Sequence, residues 1–170
     1  MDDAGFAQWY RAEHPRLVAA LTVVARDVTI AAEVVDEACV RACERWPRVR
    51  AMQSPVGWTF RTALNVLRRR HRRALMEANV TRRTTAGSPG VAPPSDWSIE
   101  VWDAVTRLPT RERTAIALRY VADLSTDEIA HAMRVAPGTV GSTLHAARHR
   151  LAELLADESP TNDLEEVRDA

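Results

Sequence analysis

The stretch "STDEIAHAMRVAPGTVGSTLHAARHRL" occupies residues 125–151, and its reading decides the fold. A short amphipathic segment, "STDEIAHAM", meets the turn "RVAP", and a longer helical pattern starts at Pro137. Proline suits the first turn of a helix, where its missing N–H is not needed. Ser125 followed by Glu128 fits a capping box, in which each side chain satisfies the other's free backbone N–H. Short helix, tight turn and longer helix form the helix-turn-helix arrangement, whose second helix enters the DNA major groove. Val135, Val140, Leu144 and Ala147 are spaced to hold the second helix on the first. Thr139, Ser142, Thr143, His145 and Arg148 are left outward, though not all on one side. The competing reading is a plain helical hairpin that reads nothing.

Outward from that stretch, spacings of three and four dominate, and no alternating strand is evident. The expected class is all-α. Residues 5–26 and 30–46 read as amphipathic helices, the second capped by Thr29. "PRVRAMQSP" (47–55) reads as a loop bracketed by prolines, and a third helix follows from about residue 55 to 76. "TRRTTAGSPGVAPPSD" (81–96) is rich in Thr, Ser, Gly and Pro and reads as a flexible linker. Four short helices are expected near 97–108, 110–122, 125–133 and 137–156, with Thr110 a cap for the second. Trp97 and Trp102 are expected to pack into that half. The organisation is therefore a domain at 5–80, a linker at 81–96, a domain at 97–156 and an acidic tail at 157–170.

The 170 residues are 46% hydrophobic and 27% charged, and no apolar run approaches the length of a membrane span. The opening "MDDAGFAQWY" lacks the basic-then-apolar order of a signal peptide, so the cytoplasm is the expected location. The 23 basic and 23 acidic residues cancel, but they are segregated. Residues 1–40 carry net −4, residues 41–83 net +10 and residues 84–170 net −6. A basic middle between acidic ends points to a local polyanion site. All the basic residues other than histidine are arginine, which suits phosphate and base edges better than lysine. Cys39 and Cys43 share a helix face at a spacing poor for a disulfide, and read as small core residues. His145 and His149, four apart, make too weak a pair for a metal site, so no metal or cofactor is expected.

The run "LPTRERTAIALRYVADLSTDEIAHAMRVAPGTVGSTLHAARHRL" (108–151) resembles region four of bacterial extracytoplasmic-function sigma factors of the sigma-70 family. The matching signals are "LP" before an Arg-bearing helix, Leu118-x-Tyr120, "EIA", and "GTV-x-S" at the start of the last helix. "AEVVDEACVRACERW" (32–46) resembles region two point two of that family. "SPVGWTFRTALNVLRRRHRR" (54–73) resembles region two point four: Pro, Trp, Asn seven residues later, then an Arg run. The resemblance covers residues 6–155, with the motifs in family order.

The resemblance implies a transcription initiation factor with core RNA polymerase and promoter DNA as partners and no catalytic residues of its own. An anti-sigma factor is a further candidate partner, and no membrane is implied. Glu33, Asp36, Glu37 and Arg41 would dock on polymerase; the bland alternative is a solvated charged face. Arg48 and Arg50 would hold a flipped base of the minus-ten element, with Asn65, Arg69, Arg72 and Arg73 on nearby DNA. Trp58 and Phe60 are either base-stacking or core, and core is preferred for Trp58. The outward residues of the last helix would meet the minus-thirty-five element. Val34, Asp36, Arg69, Gly141, Thr143 and Ala146 depart from the family's usual residues. With Gly141 and Ala146 the last helix loses two usual contacts, which keeps open a sigma-like decoy. A free-standing helix-turn-helix regulator is the other alternative.

Overall fold

The computed structural model describes residues 3–80 and 97–157. The expected linker at 81–96 and the tail beyond Asp157 lie outside the described residues. Among those described, every regular element is helical.

Helix α1 (Asp3–Ala25) runs through Pro15, which forfeits one backbone hydrogen bond. Burial of Leu17, Ala20, Leu21, Val23 and Val24 outweighs that loss. The helix ends at Arg26, whose φ of 58° is left-handed. That turn places Asp27 in extended backbone, so its carboxylate caps α2 (Val28–Glu44) by accepting from the Ile30 N–H at 2.9 Å. The expected cap, Thr29, is already helical. Helix α2 buries Ala31, Val34, Val35, Ala38, Cys39 and Ala42, one stripe at helical spacing.

The expected loop at 47–55 is a loop only in its second half. Residues Trp46–Val49 form a short helix, α3, with Pro47 in its first turn, where a missing N–H costs nothing. Trp46 and Val49 are buried and anchor it. The Trp46 ring meets Phe6 edge-on at 5.3 Å and lies 5.2 Å from Trp9. Helix α4 (Pro55–Val80) outlasts its expected end and buries Phe60, Ala63, Leu64 and Val66. The Ser54 hydroxyl accepts from the Gly57 N–H at 2.9 Å and caps it.

Helix α5 (Ile99–Arg107) is capped by Ser98. Pro109, not Thr110, holds the cap position of α6 (Thr110–Ile116), and Thr110 is its first residue. The expected continuous α-helix to residue 122 widens into a π-helical turn, Ala117–Val121. Two guanidinium groups satisfy carbonyls where it ends: Arg119 donates to the Leu124 carbonyl at 3.1 Å and Arg16 to Ala122 at 2.9 Å. Helices α7 (Thr126–Met133) and α8 (Pro137–Asp157) complete the chain. Trp97 and Trp102 pack half-buried against the core, as expected.

The capping box of α7 is formed in both directions. Ser125 N–H donates to Glu128 at 2.8 Å, and Glu128 N–H to the Ser125 hydroxyl at 3.3 Å. Burial pushes the Glu128 carboxyl up, but hydrogen bonds from Ser54 and from Ser125 outweigh it and hold the group below its ordinary 4.5. Ser125→Ala should cost about 1 kcal/mol, read from urea unfolding at neutral pH. The carboxylate's share is full above the unfolded-state pKa and disappears as pH falls through the lowered folded-state value. The penalty should therefore shrink in acid.

Buried apolar side chains of both halves form one cluster, in which Leu17, Leu21 and Phe60 join Leu108, Leu118 and Ile129. Cys39 belongs to it, and burial, then the charge of Asp36, pushes its thiol pKa up to about 12. Both cysteines are free. Among the described residues no helix is long and apolar enough to cross a membrane.

Candidate nucleic-acid interface

Two surfaces carry most of the expected DNA-binding residues. The first is α8. Arg134 closes α7 in left-handed backbone (φ 60°), and the Val135 N–H returns to the Ala130 carbonyl at 3.0 Å, which makes the turn tight. Val140, Leu144 and Ala147 are buried against α6 and α7, and Val135 is half-buried beside them. At about 100° per residue, Ser142 and His149 point directly away from that seam, and His145 lies about 50° to one side of them. Ser142, His145 and Arg148 are exposed, whereas Thr139 and Thr143 are half-buried on one flank and Arg148 lies on the other. The Ser142 and Thr143 hydroxyls both donate back to the Thr139 carbonyl, at 3.1 and 2.7 Å. Their oxygens remain free to accept.

The exposed His149 belongs to the outward face and was not among the expected contacts. Its helical register with Ser142 and His145 was the signal that could have found it. Arg150 is removed from that face by a two-oxygen ion pair with Glu112 at 2.6 Å. A Cβ added at Gly141 meets nothing within 4 Å. Packing does not demand glycine there, and a longer side chain fits.

The second surface is α4. Arg68, Arg69, Arg72 and Arg73 are exposed, and Arg70 turns the other way to bind Glu33 on α2 at 2.5 Å. Asn65, Arg68, Arg69 and Arg72 follow i, i+3, i+4, i+7 spacing and share one face. All four line a cleft of about 870 Å³. Arg68 thus joins the expected Asn65, Arg69 and Arg72, and Arg73 sits at the edge of the row. Phe60 is 0% exposed, so the base-stacking alternative is closed to it. Trp58 is half-buried against the Trp46–Val49 cluster, in line with the core reading.

Arg48 lies in α3 and Arg50 follows it, both exposed. They do not adjoin the α4 row. The α3 cluster packs on Phe6 and Trp9, and the cleft on Val24, about 22 Å along α1 at 1.5 Å per residue.

The four residues expected to face polymerase lie on α2, each held by a partner within the chain or within the set. Glu33 pairs with Arg70, Asp36 with His14 at 2.8 Å, and Glu37 with Arg41 at 2.5 Å. Val40, 57% exposed, lies among them. Val34 is fully buried, and a carboxylate there would be stranded in the core.

The cleft is also lined by an unusual buried charge. Arg113 is 7% exposed and donates to the carbonyls of Leu108 at 2.8 Å, Thr106 at 3.1 Å and Val24 at 3.4 Å. Burial, then the like charge of Arg26, lowers its pKa from the ordinary value.

The fold and these surfaces define an all-helical helix-turn-helix protein with an arginine-lined face. Its sequence matches the family model for sigma-70 region 2 over residues 9–75 and the model for sigma-70 region 4 over residues 98–151. The chain belongs to the sigma-70 family, in its extracytoplasmic-function group. It is 41% identical over 63 residues to the RNA polymerase sigma-E factor of Streptomyces antibioticus, covering 37% of this chain and 33% of that protein. It is 27% identical over 152 residues to an uncharacterised protein of Rhizobium meliloti, covering 81% of this chain and 36% of that one. The matches thus span about a third of the length of these curated relatives.

The fold is that of the sigma factor RpoE of Bartonella quintana, solved in complex with the anti-sigma factor NepR. The TM-score is 0.79 at 22% identity, over 91% of this chain and 98% of that one. CnrH, solved with the cytosolic domain of CnrY, gives 0.64 at 23% identity, over 93% and 92%.

Proposed function

We propose that this protein is a transcription initiation factor that binds core RNA polymerase, directs it to promoters and assists their opening. The observation that carries the proposal is one chain with both sigma-70 regions, an exposed arginine row on α4 and a helix-turn-helix at α7–α8. The domain at 5–80 takes polymerase on the α2 face of Glu33, Asp36, Glu37 and Arg41, and the minus-ten element on α3 and α4. The domain at 97–156 takes the minus-thirty-five element. There α8 offers backbone, the hydroxyls of Ser142 and Thr143, His145 and Arg148, a set suited to phosphates and groove shape more than to bidentate base contacts. The polymerase supplies the chemistry, and this chain contributes no catalytic group. An anti-sigma protein is proposed as a further partner, on the likeness to RpoE, a sigma factor solved with the anti-sigma factor NepR.

A second reading, a sigma-like decoy, is favoured by one feature: Arg148 is the only outward arginine left on α8. Run-off transcription separates the two. Core polymerase and this protein, on promoter fragments from its own genome, should give specific transcripts. Gly141→Arg, whose side chain has room, should raise their yield several-fold by adding a phosphate contact. Core binding without transcripts would establish the decoy, and no core binding would remove both readings.

A further inference from the structure

The cleft beside α4 is lined from both halves of the chain. Arg68, Arg69 and Arg72 form one wall; Arg26, at the end of α1, and Arg113 and Arg134, from the second half, complete it. His71 also lines it, and no acidic side chain does among the described residues. Outside the cleft, Arg16, Arg41, Arg70, Arg107 and Arg150 each pair with a carboxylate. None of Arg26, Arg68, Arg69, Arg72 and Arg134 has an ion pair among the described residues. Arg113 is more than nine-tenths buried, and its Nε has no hydrogen-bond partner there. Six like charges are thus gathered around one concavity without a counter-charge.

Two of the six are also held in costly backbone. Arg26 (φ 58°) and Arg134 (φ 60°) are left-handed, a conformation that glycine adopts freely and arginine does not. Tight turns explain the backbone but not the choice of side chain.

We infer that this cleft is a binding site for a linked-phosphate anion, a condensed phosphate or a nucleoside polyphosphate, which bridges the two halves of the chain. A guanidinium pairs bidentately with phosphate oxygens. A single phosphate would answer only part of six guanidinium charges, whereas a phosphate chain spreads its charge along both walls. The volume of about 870 Å³ lies in the range of small-molecule and cofactor sites. Val24 and Leu67 offer apolar wall for a base. Duplex DNA is too wide to enter between the packed halves, and meets the exposed guanidinium groups of Arg68, Arg69 and Arg72 only at the rim of the cleft.

The consequence is regulatory, and this part rests on the promoter-binding reading above. Elements at minus ten and minus thirty-five are about 25 base pairs apart, about 85 Å at 3.4 Å per pair. A compact chain of this size has a radius of gyration of about 15 Å. The halves must part to reach both elements, which pulls the cleft open. A bound phosphate chain opposes that parting and occupies Arg69 and Arg72, so it holds the factor off DNA.

The test uses the full chain alone, without polymerase or DNA, so that its result and that of the run-off assay are independent. Sodium tripolyphosphate and ATP are titrated calorimetrically in magnesium-free buffer, with sulfate at matched ionic strength as reference. At least one should bind stoichiometrically and at least tenfold more tightly than sulfate. Tripolyphosphate ahead would identify a condensed phosphate, and ATP ahead a nucleoside polyphosphate. Arg26→Gly/Arg134→Gly removes two charges at positions where glycine relaxes the backbone, so it should fold without loss of Tm. Its affinity should fall at least tenfold, while the exposed pair Arg11→Ala/Arg45→Ala stays within twofold. Hydrogen exchange should show ligand protection in both 65–72 and 110–116. Binding no tighter than sulfate, equal loss in the two double variants, or protection confined to α4 would each overturn the inference.

Discussion

Phe60→Ala should cost the fold about 3–5 kcal/mol. Phe60 is the largest of the fully buried side chains and touches no solvent, so truncation both loses transfer free energy and leaves a cavity. Against a typical total of about 5–15 kcal/mol, that is a large fraction. At roughly 2–4 °C per kcal/mol for a chain of this size, Tm should fall by about 6–20 °C. Urea unfolding at constant m gives the number. The same experiment separates core from base-stacking. Measured where the variant is still folded, DNA affinity should be unchanged. A Phe60→Ala protein of full stability but weakened DNA binding would mean that this ring is not in the core. Trp58→Ala, half-buried against the α3 cluster, should destabilise less.

Removing the α4 row should have the largest effect on DNA. Each phosphate neutralised contributes about 0.9 to the slope of log affinity against log salt. Arg68→Ala/Arg69→Ala/Arg72→Ala should therefore reduce that slope by about 2.7. A fourfold rise in salt would then cost the native protein about 40-fold more affinity than the variant. Arg70→Ala is the internal comparison. Its guanidinium is committed to Glu33, so its slope should hardly change. Fluorescence anisotropy on a fixed duplex across a salt series reads both. If Arg70→Ala lowers the slope as much as any member of the row, the face has been assigned wrongly.

Much of the architecture could be read from the chain because it is local. The helix-turn-helix follows from 3.6-residue spacing, Pro137 and the Ser125–Glu128 box, all decided within a few residues. The α2 stripe and the reading of Cys39 as core follow from periodicity in the same way. Even the local misreadings had local causes. Pro47 looked like an interruption because a proline within a helix and one at its start differ only in what precedes them. Thr29 looked like the cap of α2 until the left-handed turn at Arg26 handed that role to Asp27.

The candidate site was legible as a set of residues but not as an arrangement. That the middle of the chain is a candidate anion-binding region follows from its charge. Which arginines are free does not. Arg70 is taken by a glutamate 37 positions away, and Arg150 by one 38 positions away. Arg113 spans 89 positions to the Val24 carbonyl. Phe60 and Trp58, two residues apart, part company because different neighbours cover them. A helix's own residues determine its period and its ends, and the sequence alone carries these. Pairing, burial and the gathering of six arginines around one cleft depend on which distant surfaces meet, and only the tertiary packing decides that.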